Sequence, residues 1–409
     1  MNQSEKRYVG LDVHKHYVMV GIVDRDQQTL LSPRKVSLTD LEGWVKKHLQ
    51  STDEVMLEAT TNAWYIHDLL EPLVSRVVVT HPPQIKLIAS AMVKTDKKDT
   101  MTLAKLLAVG MTPEVWVPPH HVRDLRTLIA HRRRLVSQQT SCKNRLQSVL
   151  HRHHIVPPKG KLYHPKHHEW WLALDLASGD KLRVKQELLM LEHLAGLIDE
   201  TTAELHRLSL SDPWVNDLPY LIQLPGIGVM TGLVILSAIG DINRFPSAKK
   251  LVGYAGLGAR VHASGQSYHT GGITKQGRKE LRHTMIESAW IAIRYDQNWK
   301  AQFDRLAWRI GRKKAIVAIA RKLLVVVWHI LSKKRVDRQA DPIRVAKYFI
   351  AWARQAQSFK RLGLKAPAFA RQQLDLLQIG QDISQVKYSA NYILPQSALS
   401  EKEPAAQNA

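Results

Sequence analysis

Apolar residues in the first part of the chain gather in short blocks separated by polar turns. Three such blocks follow one another at residues 7–13 (containing YVGLDV), 17–23 (YVMVGIV) and 29–37 (TLLSPRKVS), and each reads as a β-strand. The period then changes. Leu41, Trp44, Val45 and His48 fall on one side of a helix running from about Asp40 to Leu49. Strands at 54–59 and Val77–Thr80 alternate with helices near 62–72 and from about Lys97. The order β-β-β-α-β-α-β-α predicts a mixed sheet, an antiparallel meander extended by parallel crossovers.

Beyond Pro118 and Pro119 the pattern is helical. Leu125, Leu128, Arg132, Leu135, Gln139, Cys142, Leu146 and Val149 recur at steps of three and four. Val184, Leu188, Leu191, Ala195, Ile198, Thr202, Leu205 and Ser209 do the same. Two seams with a break between them predict a long antiparallel helical hairpin or an oligomerising coiled coil, although Arg132, Gln139 and Thr202 interrupt the apolar seams. The break carries His151, His153, His154, His164, His167 and His168 among Pro, Lys and Trp. Without acidic or thiol partners that complete a metal site, it reads as a basic, mobile tip that touches nucleic acid or another subunit. From 218 to about 335 the chain is helical except for a glycine-rich loop at Gly253–Gly277. After Lys334 one helix is expected near Pro342–Gln355, and the final ALSEKEPAAQNA reads as disordered.

The net charge of +23 is unevenly placed. Residues 1–115 hold 14 Lys/Arg and 14 Asp/Glu, whereas the remainder holds 45 basic and 22 acidic residues. A neutral segment joined to a strongly basic one suits an active site carried by a nucleic-acid-binding body. The single cysteine, Cys142, excludes an internal disulfide and cysteine zinc cages. No signal-peptide pattern is visible, and the longest apolar run, Leu323 to Leu331, is too short to span a bilayer. The expected location is the cytoplasm, with no membrane partner.

Within the neutral segment, Asp12 and Glu58 interrupt apolar, strand-like runs. A carboxylate in such a place costs several kcal/mol unless something compensates it, and a divalent metal is the usual compensation. The element order is that of the ribonuclease-H-like fold, in which the first and fourth strands are neighbours; this places Asp12 beside Glu58. Asp96 and Asp99 lie three apart at a helix start and share a side. Four carboxylates suffice for two metals acting on a phosphodiester.

In the basic segment, LIQLPGIGVMTGLVILSAIG (221–240) resembles a helix-hairpin-helix, with Gly226 and Gly228 permitting the tight turn and exposing helix-start amides to a backbone phosphate. The loop GYAGLGARVHASGQSYHTGGITKQGRKELR (253–282) sets Ser264 among Arg260, His262, His269, Lys275, Arg278 and Arg282. The cations suit a scissile phosphate, and a histidine could help activate a hydroxyl. A serine in such a loop is more often a turn residue.

In order along the chain, GLDVHK, LEAT, KTDKKDTMTLAKLL, LPGIGVMTGLVILSAIGDINRFPSAKKLVGYAGL, HASGQ and GGITKQGRKELR resemble the DEDD transposases of bacterial insertion sequences, the IS one-ten family, also described as bridge-RNA-guided recombinases. The resemblance spans about residues 5–335. Taken with the residue patterns of the His-rich segment and of the tail after 335, which the resemblance does not place, it implies an α/β plus α protein in four regions. Residues 5–117 form a ribonuclease-H-like (resolvase-like) domain in which Asp12, Glu58, Asp96 and Asp99 bind Mg2+. Residues 120–212 form a helical coiled-coil or hairpin linker with the His-rich tip. Residues 215–335 form a mainly helical transposase domain with the helix-hairpin-helix and a nucleophilic serine, and 336–409 a helical then disordered tail. Ser264 matches that serine, with Ser267 the competitor if the register shifts. Gly226, Gly228, Arg260, Lys275, Arg278 and Arg282 are the expected nucleic-acid contacts. Implied partners are DNA (element ends and target), a guide RNA, and further copies of the chain in a dimer or tetramer whose active sites combine two subunits. Two rival readings remain: a metal-dependent Holliday-junction resolvase-like nuclease using water, and a nucleic-acid-binding protein without catalysis.

Overall fold

The computed structural model describes residues 6–88, 95–265 and 267–399. The chain divides into two compact units, Met1–Pro119 and His120–Ala409.

In the first unit, β1 (Tyr8–Val13), β2 (Tyr17–Val23) and β3 (Thr29–Ser37) form the meander. Next come α1 (Leu41–His48), β4 (Glu54–Glu58), α2 (Ala63–Leu70) and β5 (Arg76–Thr80). Helices α3 (Pro82–Ile88) and α4 (Asp96–Ala108) follow. The sheet order is β3-β2-β1-β4-β5, antiparallel between β1, β2 and β3 and parallel from β1 through β4 to β5. This is the mixed sheet that the hydrophobic pattern predicts. Only α3, short and opened by two prolines, was not anticipated.

Both faces of the sheet are covered, which explains why β1 and β2 read as apolar runs rather than alternating ones. Val9, Leu11, Val55 and Leu57 pack with Leu41, Val45, Ile66 and Leu70 of α1 and α2. Tyr8, Val23, Met56 and Val78 pack on the other face with Leu103, Ala104 and Leu107 of α4. Gly10 and Gly21 are cross-strand partners on β1 and β2. A Cβ on Gly10 would stand 2.0 Å from the Thr100 carbonyl oxygen, and one on Gly21 would stand 2.7 Å from Met101 Sδ. The two glycines therefore make the channel in which α4 lies. Gly10→Ala is expected to destabilise this unit by about 1–3 kcal/mol, because backbone atoms of α4 must move to admit the methyl group. A thermal melt checks this; an unshifted melting temperature would show that α4 does not need the channel.

The second unit opens with α5 (His120–Arg152), α6 (His168–Leu172) and α7 (Ser178–Leu208). Helices α5 and α7 run antiparallel, joined by Arg152–Asp180 near one end, Arg145–Glu187 in the middle and Arg132–Thr202 towards the other. Leu135, Cys142, Leu146 and Val149 meet Val184, Leu188, Leu191 and Leu194 between them. Two of the polar residues that interrupt the seams satisfy each other: Arg132 Nε donates to Thr202 Oγ1 at 2.7 Å.

The His-rich segment is not the loose tip expected from its composition. Its Trp171 is 1 % exposed and donates to the Leu162 carbonyl, Tyr163 donates to the Lys143 carbonyl, and Ile155 and Leu162 pack on the same core. The aromatic residues fold it onto the end of the hairpin, an effect that a count of histidines does not register. An acidic partner also exists: His153 Nε2 lies 2.9 Å from Asp180 Oδ2.

Next come α8 (Trp214–Ile222), α9 (Val229–Ile239), α10 (Ala248–Tyr254), β6 (Ala259–Ser264) and β7 (Ser267–Ile273). Helices α11 (Lys279–Tyr295), α12 (Gln297–Ile310) and α13 (Arg312–Lys333) follow. Helix α13 as a whole is long and apolar enough to cross a membrane. Here Ala315, Ile316, Ile319, Leu323, Leu324 and Val327 are instead buried where it packs against α8, α10, α11 and α12.

The tail contains more structure than one helix. After α14 (Pro342–Gln355) come α15 (Ser358–Leu362), α16 (Ala366–Leu377) and a hairpin of β8 (Gln385–Tyr388) and β9 (Ala390–Ile393). Phe349, Trp352 and Phe369 are buried, and Trp352 Nε1 donates to Ser209 Oγ at 2.7 Å, tying the tail to the end of α7. Ser397 Oγ donates to Asp375 Oδ1 and Ala398 N to Asp375 Oδ2, so residues 398–399 of the stretch expected to be disordered are ordered. The rest of that stretch lies outside the described residues.

Candidate active site

In the first unit, the parallel register aligns Leu11 with Leu57, which sets Asp12 beside Glu58 at the adjacent strand ends. Leu11 and Leu57 face the α1–α2 core, so strand alternation turns Asp12 and Glu58 to the face carrying α4. Helix α4 enters there. Its first turn contains Asp96 and Asp99, and Thr95 caps it by accepting from the Lys98 amide. Lying in the glycine channel, α4 presents this turn at the end of β1.

The resulting cluster includes two residues that the sequence reading did not select. His14 Nε2 stands 3.2 Å from Asp12 Oδ2 and 3.3 Å from Asp96 Oδ2, a single ring nitrogen between two carboxylates. Tyr17 stacks on His14 at 4.5 Å between ring centroids and donates its hydroxyl to Asp96 Oδ2 at 3.2 Å. The signal for His14 was its i,i+2 spacing from Asp12 at the end of a strand. Burial pushes the Asp12 carboxyl above its ordinary range; His14 opposes this, and the charges of Asp96 and Asp99 add to it. Ligand atoms of Asp12, His14 and Asp96 all lie within 4.8 Å of one another. A divalent cation fits this set: the carboxylate oxygens are hard donors, and the crowded negative charge is what such an ion relieves. In this structure, His14 takes the position between the carboxylates.

In the second unit, the loop expected at Gly253–Gly277 contains a β-hairpin. Ser264 pairs with Ser267 across the turn at Gly265 (φ +56°), and His262 pairs with His269. By alternation these four share one face, all exposed. The base is anchored. The amides of Thr274, Lys275 and Arg278 donate to the carbonyls of Gly258, Gly256 and Tyr254. Arg260 is exposed on β6, and Lys275 is exposed at φ +57°. Arg282 is tied to the scaffold, its Nη1 donating to the Ala255 carbonyl at 3.0 Å.

Arg278 belongs to a guanidinium group with Arg126 and Arg244. Burial, together with repulsion from Arg278 and Arg244, pushes Arg126 down to about 10. Arg126 donates to the Ser237 and Ala238 carbonyls and Arg244 to that of Ile239, placing cations at the α9 C-terminus, where the helix dipole favours them. At the other end of α9, Gly226 (φ +82°) lies against α11, where a Cβ would stand 2.3 Å from the Ser288 carbonyl oxygen. Gly228 is exposed, with open space at its Cβ position, and supplies the N-cap of α9 without a side-chain cap.

The pattern of a DEDD transposase family matches residues 9–155, and that of the family described as "Transposase IS116/IS110/IS902 family" matches 218–304. The chain belongs to the IS110 family of transposases. This transposase is 28% identical over 351 residues to the pilin gene-inverting protein of Moraxella bovis, covering 81% of this chain and 97% of the relative. It is 26% identical over 260 residues to the transposase for insertion sequence element IS1111A of Coxiella burnetii, covering 60% and 68%. With the putative transposase y4rJ of Sinorhizobium fredii it shares 29% identity over 308 residues, covering 67% and 76%. The transposase is an enzyme of DNA rearrangement, and its substrate is DNA.

Proposed function

We propose that this transposase cuts and rejoins DNA through a phosphoserine intermediate. Ser264 Oγ attacks a backbone phosphorus. The new O–P bond forms as a P–O bond to deoxyribose breaks, and the released oxygen leaves as a hydroxyl carrying a proton. The hydroxyl of a second strand then attacks the serine-linked phosphate, which frees Ser264 and makes the new joint. Asp12, Glu58, Asp96 and Asp99 would hold Mg2+, which lowers the pKa of an attacking hydroxyl and offsets charge in phosphoryl transfer.

The observation that carries this reading is the convergence of Asp12 and Asp96 within 3.3 Å of one point, on a sheet whose order agrees with the ribonuclease-H-like fold. The exposed Ser264 at the tip of a firmly based hairpin supports the nucleophile assignment. The name of the Moraxella relative supports rejoining rather than cutting alone, since inversion needs both. We assign Gly226, Gly228, Arg260, Lys275 and Arg278 to nucleic-acid backbone contacts, Gly226 through the turn it permits. Guidance by RNA, assembly as a dimer or tetramer through the α5–α7 hairpin, and cytoplasmic action complete the proposal.

The test is covalent capture. Purified transposase is incubated with DNA carrying the element's ends and denatured in detergent. DNA is expected to stay attached to protein in Mg2+ or Mn2+ and not in a chelator. Cleavage without an adduct would leave a nuclease that uses water, and binding without cleavage would leave a nucleic-acid-binding protein.

A further inference from the structure

The most exposed large apolar side chain among the described residues is Trp308, 91% accessible on the outer side of α12. Arg305 lies one turn before it and Arg309 directly after, and beyond Gly311 the residues Arg312, Lys313 and Lys314 open α13. All five cations are exposed. The segment 304–314 has one carboxylate, Asp304, and Lys300 Nζ engages it at 2.7 Å. Among the described residues, Arg305, Arg309, Lys313 and Lys314 have no ion-pair partner, and Arg312 lies over the Phe303 ring at 5.4 Å. Trp290 of α11, which meets Phe303 at 5.9 Å between ring centroids, is also accessible beside Arg312.

A single exposed tryptophan is ordinary. One set beside four cations without an ion-pair partner has no explanation in folding, because neither feature stabilises this unit. Three cations in the first turn of α13 oppose its dipole, so they do not serve the helix either. The combination of a protruding aromatic face and surrounding cations matches a ligand with π-faces and regularly spaced negative charge. An acidic peptide supplies only the charge. Duplex DNA hides its base faces in the stack, leaving the indole nothing to stack on. An unpaired strand supplies both.

We propose that the outer face of α12 and the start of α13 bind unpaired DNA, with a base on Trp308 and phosphates at Arg305, Arg309 and Lys313. Rejoining to a new partner requires a strand to leave its old duplex, so unpaired nucleotides arise in any such reaction. This inference rests on the transposase acting on DNA and is independent of which residue is the nucleophile.

Binding of labelled oligothymidylate, oligouridylate and a DNA duplex to the full chain tests it by fluorescence polarisation. Trp308→Ala should weaken oligothymidylate binding by about tenfold and leave duplex binding unchanged, with Trp308→Phe restoring most of the loss. Arg305→Gln with Arg309→Gln should lower the salt slope for the strand by about 1.4, at roughly 0.7 per phosphate contact. Equal losses on strand and duplex, or no loss on either, overturn the proposal. A loss confined to oligouridylate assigns the face to RNA and overturns the DNA assignment. If light scattering shows that Trp308→Ala breaks up an oligomer, the face is an interface between copies, and the proposal also fails. Covalent capture is read separately, so the phosphoserine mechanism can fail without touching this result.

Discussion

Ser264→Ala is expected to abolish the protein–DNA adduct and to lower strand joining by more than about a thousandfold, since no other group replaces a lost nucleophile. DNA binding and thermal stability should stay at wild-type levels. Ser264 is exposed, on a strand with no buried residue, so removing its hydroxyl lies within the roughly 0.5 kcal/mol range of ordinary surface changes. The control is Ser267→Ala, directly opposite in the hairpin register. If Ser267→Ala loses the adduct and Ser264→Ala keeps it, the nucleophile lies on β7. If cleavage continues in both variants, neither serine carries the chemistry.

Asp12→Asn and Asp96→Asn should each lower strand cleavage on the order of a thousandfold, the equivalent of about 4 kcal/mol of lost transition-state stabilisation. Both should also weaken Mn2+ binding followed by titration calorimetry, a readout that needs no turnover. The same substitutions should not lower the melting temperature measured without metal. Asp12 is half-buried and close to the charges of Asp96 and Asp99, so neutralising it removes repulsion, while an amide oxygen can still accept from His14. Cleavage at wild-type rates in Asp96→Asn would remove this cluster from the mechanism. A large drop in stability would recast the carboxylates as structural.

The first unit was legible because its determinants are local. Strand period, helix period and the positions of Asp12 and Glu58 within apolar runs can all be read along the chain, and the parallel register, which pairs the preceding residues Leu11 and Leu57, continues toward both carboxylates. The seams of α5 and α7 were legible for the same reason. His14 was passed over because a histidine two residues after an aspartate has no meaning until α4 brings Asp96 to its other side.

The sequence by itself determined the element order of the first unit apart from α3, the division of charge along the chain, the acidic quartet and the serine among glycines and cations. Periodicity, composition and motif spacing are properties of neighbours along the chain. Only the tertiary structure decided that the glycine-rich loop is a hairpin with Ser264 and His262 on one face, that the His-rich segment folds under Trp171, and that the tail is built around Trp352. It also decided which groups Arg278 and Arg282 neighbour: a guanidinium cluster at the end of α9 for the first and the Ala255 carbonyl for the second. The tail and the arginine contacts join residues tens to more than a hundred positions apart, and even the shorter-range hairpin and the Trp171 contact depend on pairings that composition does not specify. The side chains that make them carry no mark of their partner until the backbone brings the two together.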